Sequence, residues 1–230
     1  MIDNEFELEL KIKEEFFAII SNNKKEMFSR IASERTNHIT VVLENIYQEH
    51  NASAVVRTCD CFGIQQMHII EKNNQYKLQR DIALGAGRWV DMYNYNLGNN
   101  VTTDCIKKLK SKGYKIIATT PHTNQTISEL NLNDPVAFVF GTERQGVSED
   151  VYELADDTVK IPMYGFTESF NISVSVAIIL STIRERLEKS DLNWKLSEKE
   201  KVKLINKWCR KILNGGDKLE LLFRNKHSIK

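Results

Sequence analysis

Short apolar strands and helices alternate through the middle of this 230-residue chain, and this alternation constrains the fold more than any other feature. The strands predicted from it are 40–44, 67–71, 90–94, 115–119, 136–140 and 158–161. The helices predicted among and after them are 53–62, 103–112, 149–155 and 172–187. Apolar strands that alternate with helices are typical of parallel sheets with both faces covered. The sequence therefore predicts an α/β fold with a mostly parallel sheet and helices on both faces.

The two ends of the chain are polar and have apolar residues at helical spacing. Before Glu14 an alternation of apolar and polar residues also fits a strand, but helix is the preferred interpretation for residues 1–38 as a whole. We therefore divide the chain into a helical N-terminal extension at 1–38, a core domain at 39–189 and a basic helical C-terminal extension at 190–230. A short final helix is predicted around 219–223.

Charge gives only local information about partners. The chain has 32 Lys and Arg against 31 Asp and Glu, a formal net charge of +1, so its overall charge is no argument for a nucleic-acid partner. The C-terminal extension is basic by contrast, which is compatible with phosphate binding and equally with a solvated helix.

The cysteines and the apolar runs limit the class of protein further. Four cysteines in a chain of this size do not form a disulfide framework, and no His or Cys pairs stand at metal-ligand spacing, so no metal is predicted. No apolar run reaches the length of a transmembrane helix, and no secretory signal pattern is present. We expect a cytoplasmic protein without a membrane partner.

The first of three polar motifs follows the first predicted strand and reads HNASAVVRTCDCFG over residues 50–63. A helix that begins near Ser53 would place Ala54 and Arg57 on adjacent turns of one face, with Asn51 before it as a cap. An ordinary capped helix with an arginine in solvent explains the same pattern.

Two further polar motifs follow later strands. Residues 140–148 read FGTERQGVS; glycines at such a turn allow backbone N–H groups to approach a ligand, but they also suit a structural turn. This motif matches neither a P-loop nor the glycine pattern of dinucleotide-binding folds.

Residues 161–177 read IPMYGFTESFNISVSVA and lead into the last helix of the core. Polar residues cluster where this helix begins: Glu168, Ser169, Asn171 and Ser173. Helix capping is a rival explanation for the last two.

In this order and spacing the three motifs resemble the signatures of the SpoU/TrmH family of SPOUT-class RNA 2'-O-ribose methyltransferases. The resemblance covers about residues 30–186. It implies a deep trefoil knot, in which the last part of the core is threaded through an earlier loop, a feature that periodicity cannot predict. It also implies a homodimer with the helices near Ser53 and Ile172 at the interface. The implied reaction is metal-free methyl transfer from S-adenosylmethionine to a ribose hydroxyl.

The resemblance further implies roles for individual residues. The implied catalytic residues are Asn51, Arg57, Glu143, Ser169 and Asn171. The implied cofactor-binding residues are Thr119, Gly141, Ile161, Phe170 and Ser173. The implied RNA contacts are Arg30, Arg35, His50, Arg184 and Arg186. Such arginines position an RNA through its backbone rather than read its bases.

The short extensions, and His50 directly before Asn51, resemble the tRNA-modifying branch of the family, which methylates the D-loop guanosine at position eighteen. Methylation of ribosomal RNA or of another tRNA position is one alternative. A catalytically inactive knot protein that binds RNA is another, and the polar residues retained in all three motifs argue against it.

The family mechanism assigns the role of general base to the residue that matches Arg57. A guanidinium is effectively always protonated in proteins, which makes this role difficult. One alternative is a transient loss of the proton near an RNA phosphate. The other, which we favour, is that Arg57 stays cationic, orients the ribose hydroxyl and stabilises developing alkoxide charge, while water or a phosphate accepts the proton.

Overall fold

The structure is a computed structural model that describes residues 4–72, 76–142 and 144–228. Its internal contacts divide the chain into two compact units. One unit is Thr36–Trp194, here called the core unit, and the other, here called the terminal unit, combines the residues before Thr36 with those after Trp194. Among the described helices, none is long and apolar enough to cross a membrane.

The core unit is built on one parallel sheet. Its strands, as far as the structure describes them, are β1 Ile39–Glu44, β2 Gln66–Ile70, β3 Asp91–Tyr95, β4 Lys115–Thr119, β5 Val136–Phe140 and β6 Asp157–Val159. Their spatial order is β3-β2-β1-β5-β4-β6, and every neighbouring pair is parallel. The predicted α/β fold with a parallel sheet is confirmed.

The helices described in the structure are α1 Asn4–Ile19, α2 Asn22–Ser33, α3 Glu49–Cys61, α4 Arg80–Ala83, α5 Val101–Ser111, α6 Glu149–Leu154, α7 Ile172–Glu188, α8 Glu198–Ile212 and α9 Gly216–Ser228. A single 3₁₀ turn, Ala86–Arg88, follows α4. Helices α1 and α2 confirm the helical interpretation of the N-terminal end, including its first residues after Asn4, and α9 is longer than the predicted segment 219–223.

Helices cover both faces of the sheet because successive strand residues point to opposite sides. On β1, Val41 and Leu43 belong to the apolar cluster that includes side chains of α3 and α7. Val42, between them, belongs to the second cluster, together with side chains of α5 and α6. All six residues of β1 are buried, so this strand lies at the centre of the core.

Helix α3 begins at Glu49, one turn before the predicted start near Ser53. Asn51 therefore lies inside the first helical turn, and its predicted position as a cap before the helix is wrong. The N-cap is Gln48, whose side chain makes no capping hydrogen bond. The first turn consists of Glu49, His50, Asn51 and Ala52 and has no large apolar side chain, so apolar periodicity alone located the start too late.

The terminal unit has its own core and its own buried polar network. Phe28 lies against Trp208 with ring centroids 5.5 Å apart, and Phe16 lies against Phe223 at 5.2 Å. The Glu9 side chain is 5% exposed and accepts a hydrogen bond from the Arg224 guanidinium at 2.7 Å. Paired in this way, the buried carboxylate is stabilised in the folded chain.

Candidate active site

A cavity of about 270 Å³ lies at the carboxyl ends of three neighbouring strands of the core unit. Thr119, Phe140 and Val159 line it, and they are the last residues of β4, β5 and β6. Ligands of open parallel α/β sheets bind at this edge, where the loops that follow the strands converge. The cavity is therefore the first candidate for a ligand site.

The second polar motif forms one wall of the cavity as a loop closed on itself. The Thr142 and Gly146 backbones exchange two hydrogen bonds, each 2.9 Å long. Gly146 has a φ of +69°, which favours glycine, and a Cβ atom on Gly141 would lie 1.9 Å from the Gly146 carbonyl oxygen. Both glycines are thus required for the loop conformation. Glu143, predicted as catalytic, lies outside the described residues.

The third polar motif supplies the opposite wall. Ile161, Ser169 and Phe170 line the cavity, as does Met163. Ser173, predicted to bind the cofactor, is not among the described lining residues; its N–H and hydroxyl donate to the Asn171 side-chain oxygen at 2.9 and 2.7 Å. Four of the five residues predicted to bind the cofactor thus lie together at the cavity, and the fifth contacts its neighbour Asn171.

A chain of hydrogen bonds joins the first motif to the third. The Asn171 amide N–H donates to the Asn51 Oδ1 at 3.2 Å, and the Asn51 amide N–H donates to the Gln48 Oε1 at 2.9 Å. Asn171 is also the N-cap of α7, because its Oδ1 accepts from the Ser173 N–H. The capping that sequence reasoning offered as a rival role is therefore real, and the same side chain also holds Asn51.

Arg57 lies on the exposed face of α3, and no hydrogen bond or ion pair joins its side chain to any residue that the structure describes. It is also not among the described lining residues of the cavity. A guanidinium with five N–H donors is thereby left available to an anionic or hydroxyl-bearing ligand.

Two arginines of α7 that were predicted as RNA contacts are held by the core unit itself. The Arg186 guanidinium donates to the carbonyl oxygens of Ile127 at 2.8 Å and Leu130 at 2.5 Å, and burial lowers its pKa. The Arg184 guanidinium lies 4.3 Å from the Trp194 ring centroid and donates to Glu188 at 2.8 Å. Contacts within the chain thus account for both side chains.

The remaining predicted RNA contacts differ in exposure. His50 on α3 and Arg30 on α2 are exposed. Arg35 is only 2% exposed, and its guanidinium lies 5.5 Å from the Trp208 ring centroid in the terminal unit. An RNA can therefore reach His50 and Arg30 directly, whereas Arg35 also has a structural role.

Sequence reasoning missed several residues of the cavity. The polar lining residues missed in this way include His122, Arg144 and Lys160. Lys160 directly follows β6, so the rule that ligands meet strand carboxyl ends would have found it. Within the described ranges, no group of three or more His, Cys, Asp or Glu side chains is arranged to hold a metal ion.

Taken together, the parallel sheet, the cavity at its carboxyl edge and the closed glycine loop define an α/β protein with a candidate small-molecule site at the ends of its strands. Comparison with known families agrees with the motifs. The model of the SpoU rRNA Methylase family matches residues 38–181, and the chain belongs to this family.

Individual relatives are similar over most of their length. A protein of Borreliella burgdorferi named tRNA (guanosine(18)-2'-O)-methyltransferase is 39% identical over 207 residues, which cover 90% of this chain and 93% of that protein. The crystal structure of the Aquifex aeolicus TrmH/SpoU tRNA modifying enzyme has a TM-score of 0.73 at 29% identity and covers 84% of this chain and 98% of its own.

A more distant structure shares the fold alone. The SpoU methyltransferase AviRb from Streptomyces viridochromogenes, crystallised in complex with the cofactor AdoMet, has a TM-score of 0.57 at 16% identity. The matched region covers 70% of this chain and 62% of that one.

Proposed function

We propose that this protein methylates the ribose 2'-hydroxyl of guanosine 18 in tRNA, with S-adenosylmethionine as the methyl donor. The observation that carries the proposal is the cavity at the ends of β4, β5 and β6, whose walls are the second and third motifs. The names of the related tRNA methyltransferases support the choice of tRNA as substrate. They do not favour ribosomal RNA, which was the main alternative.

The residues of the cavity fit S-adenosylmethionine. Phe140, Ile161 and Ile179 provide apolar surface for an adenine ring, and the glycine loop brings backbone groups close to the space. Arg144 and Lys160 are cations suited to the carboxylate of the methionine part. When bound, the cofactor supplies an activated methyl group. The site residues Thr119, Gly141, Ile161, Phe170 and Ser173 are proposed to hold it, Ser173 through its contact with Asn171.

Arg57 is proposed to act on the RNA. As a permanent cation it would orient the ribose hydroxyl and stabilise the negative charge that develops on its oxygen, while water or an RNA phosphate accepts the proton. Its exposure, and its lack of a partner among the described side chains, suit a group that meets its ligand only when RNA is bound.

Asn51 and Asn171 are proposed to shape the site, since the Asn171 amide N–H donates to the Asn51 Oδ1 and so joins the first motif to the third. Ser169, exposed at the cavity, is proposed to contact the substrate, and Glu143 is kept as a proposed polar contact although it lies outside the described residues. Arg30 and His50 are proposed RNA-backbone contacts. For Arg35, Arg184 and Arg186 an RNA contact stays a prediction beside their structural contacts.

The proposed knot concerns the segments that follow β4 and β6. The Lys160 N–H donates to the Gln125 carbonyl at 3.0 Å, and the Ile127 N–H donates to the Lys160 carbonyl at 3.3 Å, so the two segments run side by side. Arg186 of α7 then bonds to two carbonyls of the same region. This proximity supports threading of the chain between β6 and α7 through the loop 120–135.

A homodimer is proposed with α3 and α7 at its interface. Tyr164 is 96% exposed, Phe166 is fully exposed, and Val174 on α7 is 43% exposed. These exposed apolar side chains lie close together in the chain, between the end of β6 and the first turn of α7, which supports a protein–protein contact there. A Phe166→Asp substitution should therefore shift the protein from dimer to monomer in sedimentation equilibrium.

The domain boundaries are proposed as predicted: a methyltransferase domain at 39–189, flanked by helical extensions at 1–38 and 190–230. A tRNA substrate supports the predicted cytoplasmic location.

The decisive experiment maps 2'-O-methylation in RNA. Purified protein with S-adenosylmethionine and unmodified tRNA should yield one new 2'-O-methylguanosine, at position 18, and an Arg57→Ala variant should yield none. Methylation at another tRNA position, or of ribosomal RNA alone, would overturn the substrate assignment. Binding of tRNA without methyl transfer to any RNA would instead identify an inactive RNA-binding protein.

A further inference from the structure

Glu44, the last residue of β1, is a buried carboxylate that none of the three motifs includes. Glu44 is only 4% exposed, and its strand is one of the two central strands of the sheet. Its hydrogen-bond partners in the described chain are N–H and O–H groups rather than cations. Burying a carboxylate costs free energy unless several hydrogen-bond donors replace the lost water. The donors that bond to Glu44 therefore indicate which part of the fold it stabilises.

Three hydrogen bonds satisfy the Glu44 carboxylate. Oε2 accepts from the Ser148 backbone N–H at 2.8 Å, and Oε1 accepts from the Ser148 hydroxyl at 2.6 Å. Oε1 also accepts from the Thr102 hydroxyl of α5 at 2.9 Å. Two of the three donors thus belong to one residue, Ser148, which is the N-cap position of α6.

Ser148 ends the closed glycine loop that forms a wall of the cavity. The other end of this loop, Phe140, pairs in register with Leu43, the neighbour of Glu44. One end of the loop is therefore paired with Leu43 and the other is bonded to Glu44, which are consecutive residues at the carboxyl end of β1. Between them, Gly141, Thr142 and Gly146 line the cavity.

Glu44 also stands directly before the first motif. Asn45 has a φ of +54°, and its N–H donates to the Ile70 carbonyl at 2.8 Å, so the chain turns sharply here. It then enters α3, which carries Asn51 and Arg57. The carboxylate is thus the place where the strand leading to the first motif is joined to the loop of the second.

We infer that Glu44 is a positioning residue for the cofactor loop. Its carboxylate holds Ser148, and through Ser148 it keeps the loop from Gly141 to Gly146 in the shape that receives S-adenosylmethionine. This inference rests on the proposed function. The rival explanation is that the three hydrogen bonds stabilise the fold in general and have no particular effect on the cofactor.

Three substitutions separate these explanations by isothermal titration with S-adenosylmethionine. Glu44→Ala removes both carboxylate oxygens and with them all three hydrogen bonds, and we expect cofactor binding to weaken about tenfold or more, as for loss of a buried hydrogen bond to a charged group. Glu44→Gln should bind within about threefold of the parent, because its amide oxygen accepts from the Ser148 N–H and its NH₂ donates to the two hydroxyl oxygens. Thr102→Ala is the matched control: it removes a donor to the same carboxylate without altering the loop, so thermal stability should fall while cofactor affinity stays unchanged.

Hydrogen–deuterium exchange gives a second readout that needs no cofactor. The amides of residues 144–148 should exchange faster in Glu44→Ala than in the parent or in Thr102→Ala, while those of α7 should not change. Unchanged loop exchange together with unchanged cofactor affinity in Glu44→Ala would overturn the inference, and so would equal loss of affinity in Thr102→Ala.

If Glu44→Ala does not fold, Ser148→Ala, which removes only the hydroxyl donor, should weaken cofactor binding about threefold, and an unchanged affinity overturns the inference. If the parent itself does not bind S-adenosylmethionine, the proposed function fails, and the exchange measurement still decides whether Glu44 holds the loop.

Discussion

Helices α3 and α7 each present arginines that the family resemblance assigns to the RNA reaction, but the structure uses them differently. On α3, Arg57 is exposed and has no partner among the described side chains. On α7, Arg186 is bonded to two backbone carbonyls, and Arg184 lies on an indole ring beside a glutamate. An arginine already satisfied within the chain must break contacts to meet a ligand, whereas an exposed one with no partner need not.

This difference separates an arginine that is available to a ligand from arginines that the fold already uses. Arg57 is exposed and makes no hydrogen bond or ion pair with a described residue, so its proposed contact with the RNA would break no contact within the chain. Arg184 and Arg186 hold α7 against other parts of the core unit, so their loss should first be seen in stability. Substitutions at the three positions test this distinction.

The largest effect is expected for Arg57→Ala. Methyl transfer in a single turnover should fall about 10³-fold or more, because the group that stabilises developing charge is gone. Cofactor affinity, measured by isothermal titration, should stay within a few-fold of the parent. Loss of cofactor binding in this variant would contradict the assignment of Arg57 to the RNA.

Arg57→Lys tests how the guanidinium acts. We expect activity about 10²-fold below the parent, because an ammonium keeps the charge but lacks the planar fork of donors. The pH dependence of the single-turnover rate decides between the two roles, since an amine loses its proton far more easily than a guanidinium. A rate that stays low at high pH supports a fixed cation, whereas strong recovery there would support a general base.

Arg186→Ala should mainly destabilise the fold. The free energy of unfolding is expected to fall by about 2–4 kcal/mol, because the carbonyls of the buried residues Ile127 and Leu130 lose their donor. Denaturant unfolding measures this change, and a filter-binding assay measures the affinity for tRNA. Unchanged stability with weaker tRNA binding would reverse the interpretation and support the predicted RNA contact.

Arg184→Ala should have the smallest effect, a loss of about 1 kcal/mol from the contact with Trp194. The matched control is Glu188→Gln, which removes only the ion pair with Arg184. The Glu188 side chain is 55% exposed, so this pair should contribute at most about 0.5 kcal/mol. Equal losses for the two variants would show that the ion pair, rather than the indole, is what Arg184 contributes.

Local patterns in the sequence predicted much of this molecule. The bounds of β4 and β5 and the start of α7 match the apolar patterns residue for residue, because buried strands and helix stripes leave direct traces. The convergence of the second and third motifs on one cavity follows from parallel strands whose carboxyl ends meet at one edge.

What the sequence did not predict depends on contacts between distant residues. Glu44 looks like the polar end of an apolar strand, and only its bonds to Thr102 and Ser148 identify its role. Arg186 looks like an exposed helix residue until α7 is seen beside the carbonyls of Ile127 and Leu130. No local pattern encodes such pairings.

The double use of the Asn171 side chain limits what can replace it. Aspartate and serine cap helices about as well as asparagine does, so the start of α7 alone would tolerate either of them. Aspartate keeps the acceptor for the Ser173 N–H but has no donor for Asn51. The serine hydroxyl both donates and accepts, but it lies one bond closer to the backbone than the Asn171 amide nitrogen that reaches Asn51. A change that preserves the helix would therefore still disconnect the two motifs, and a fully folded protein could lose its activity without any visible loss of structure.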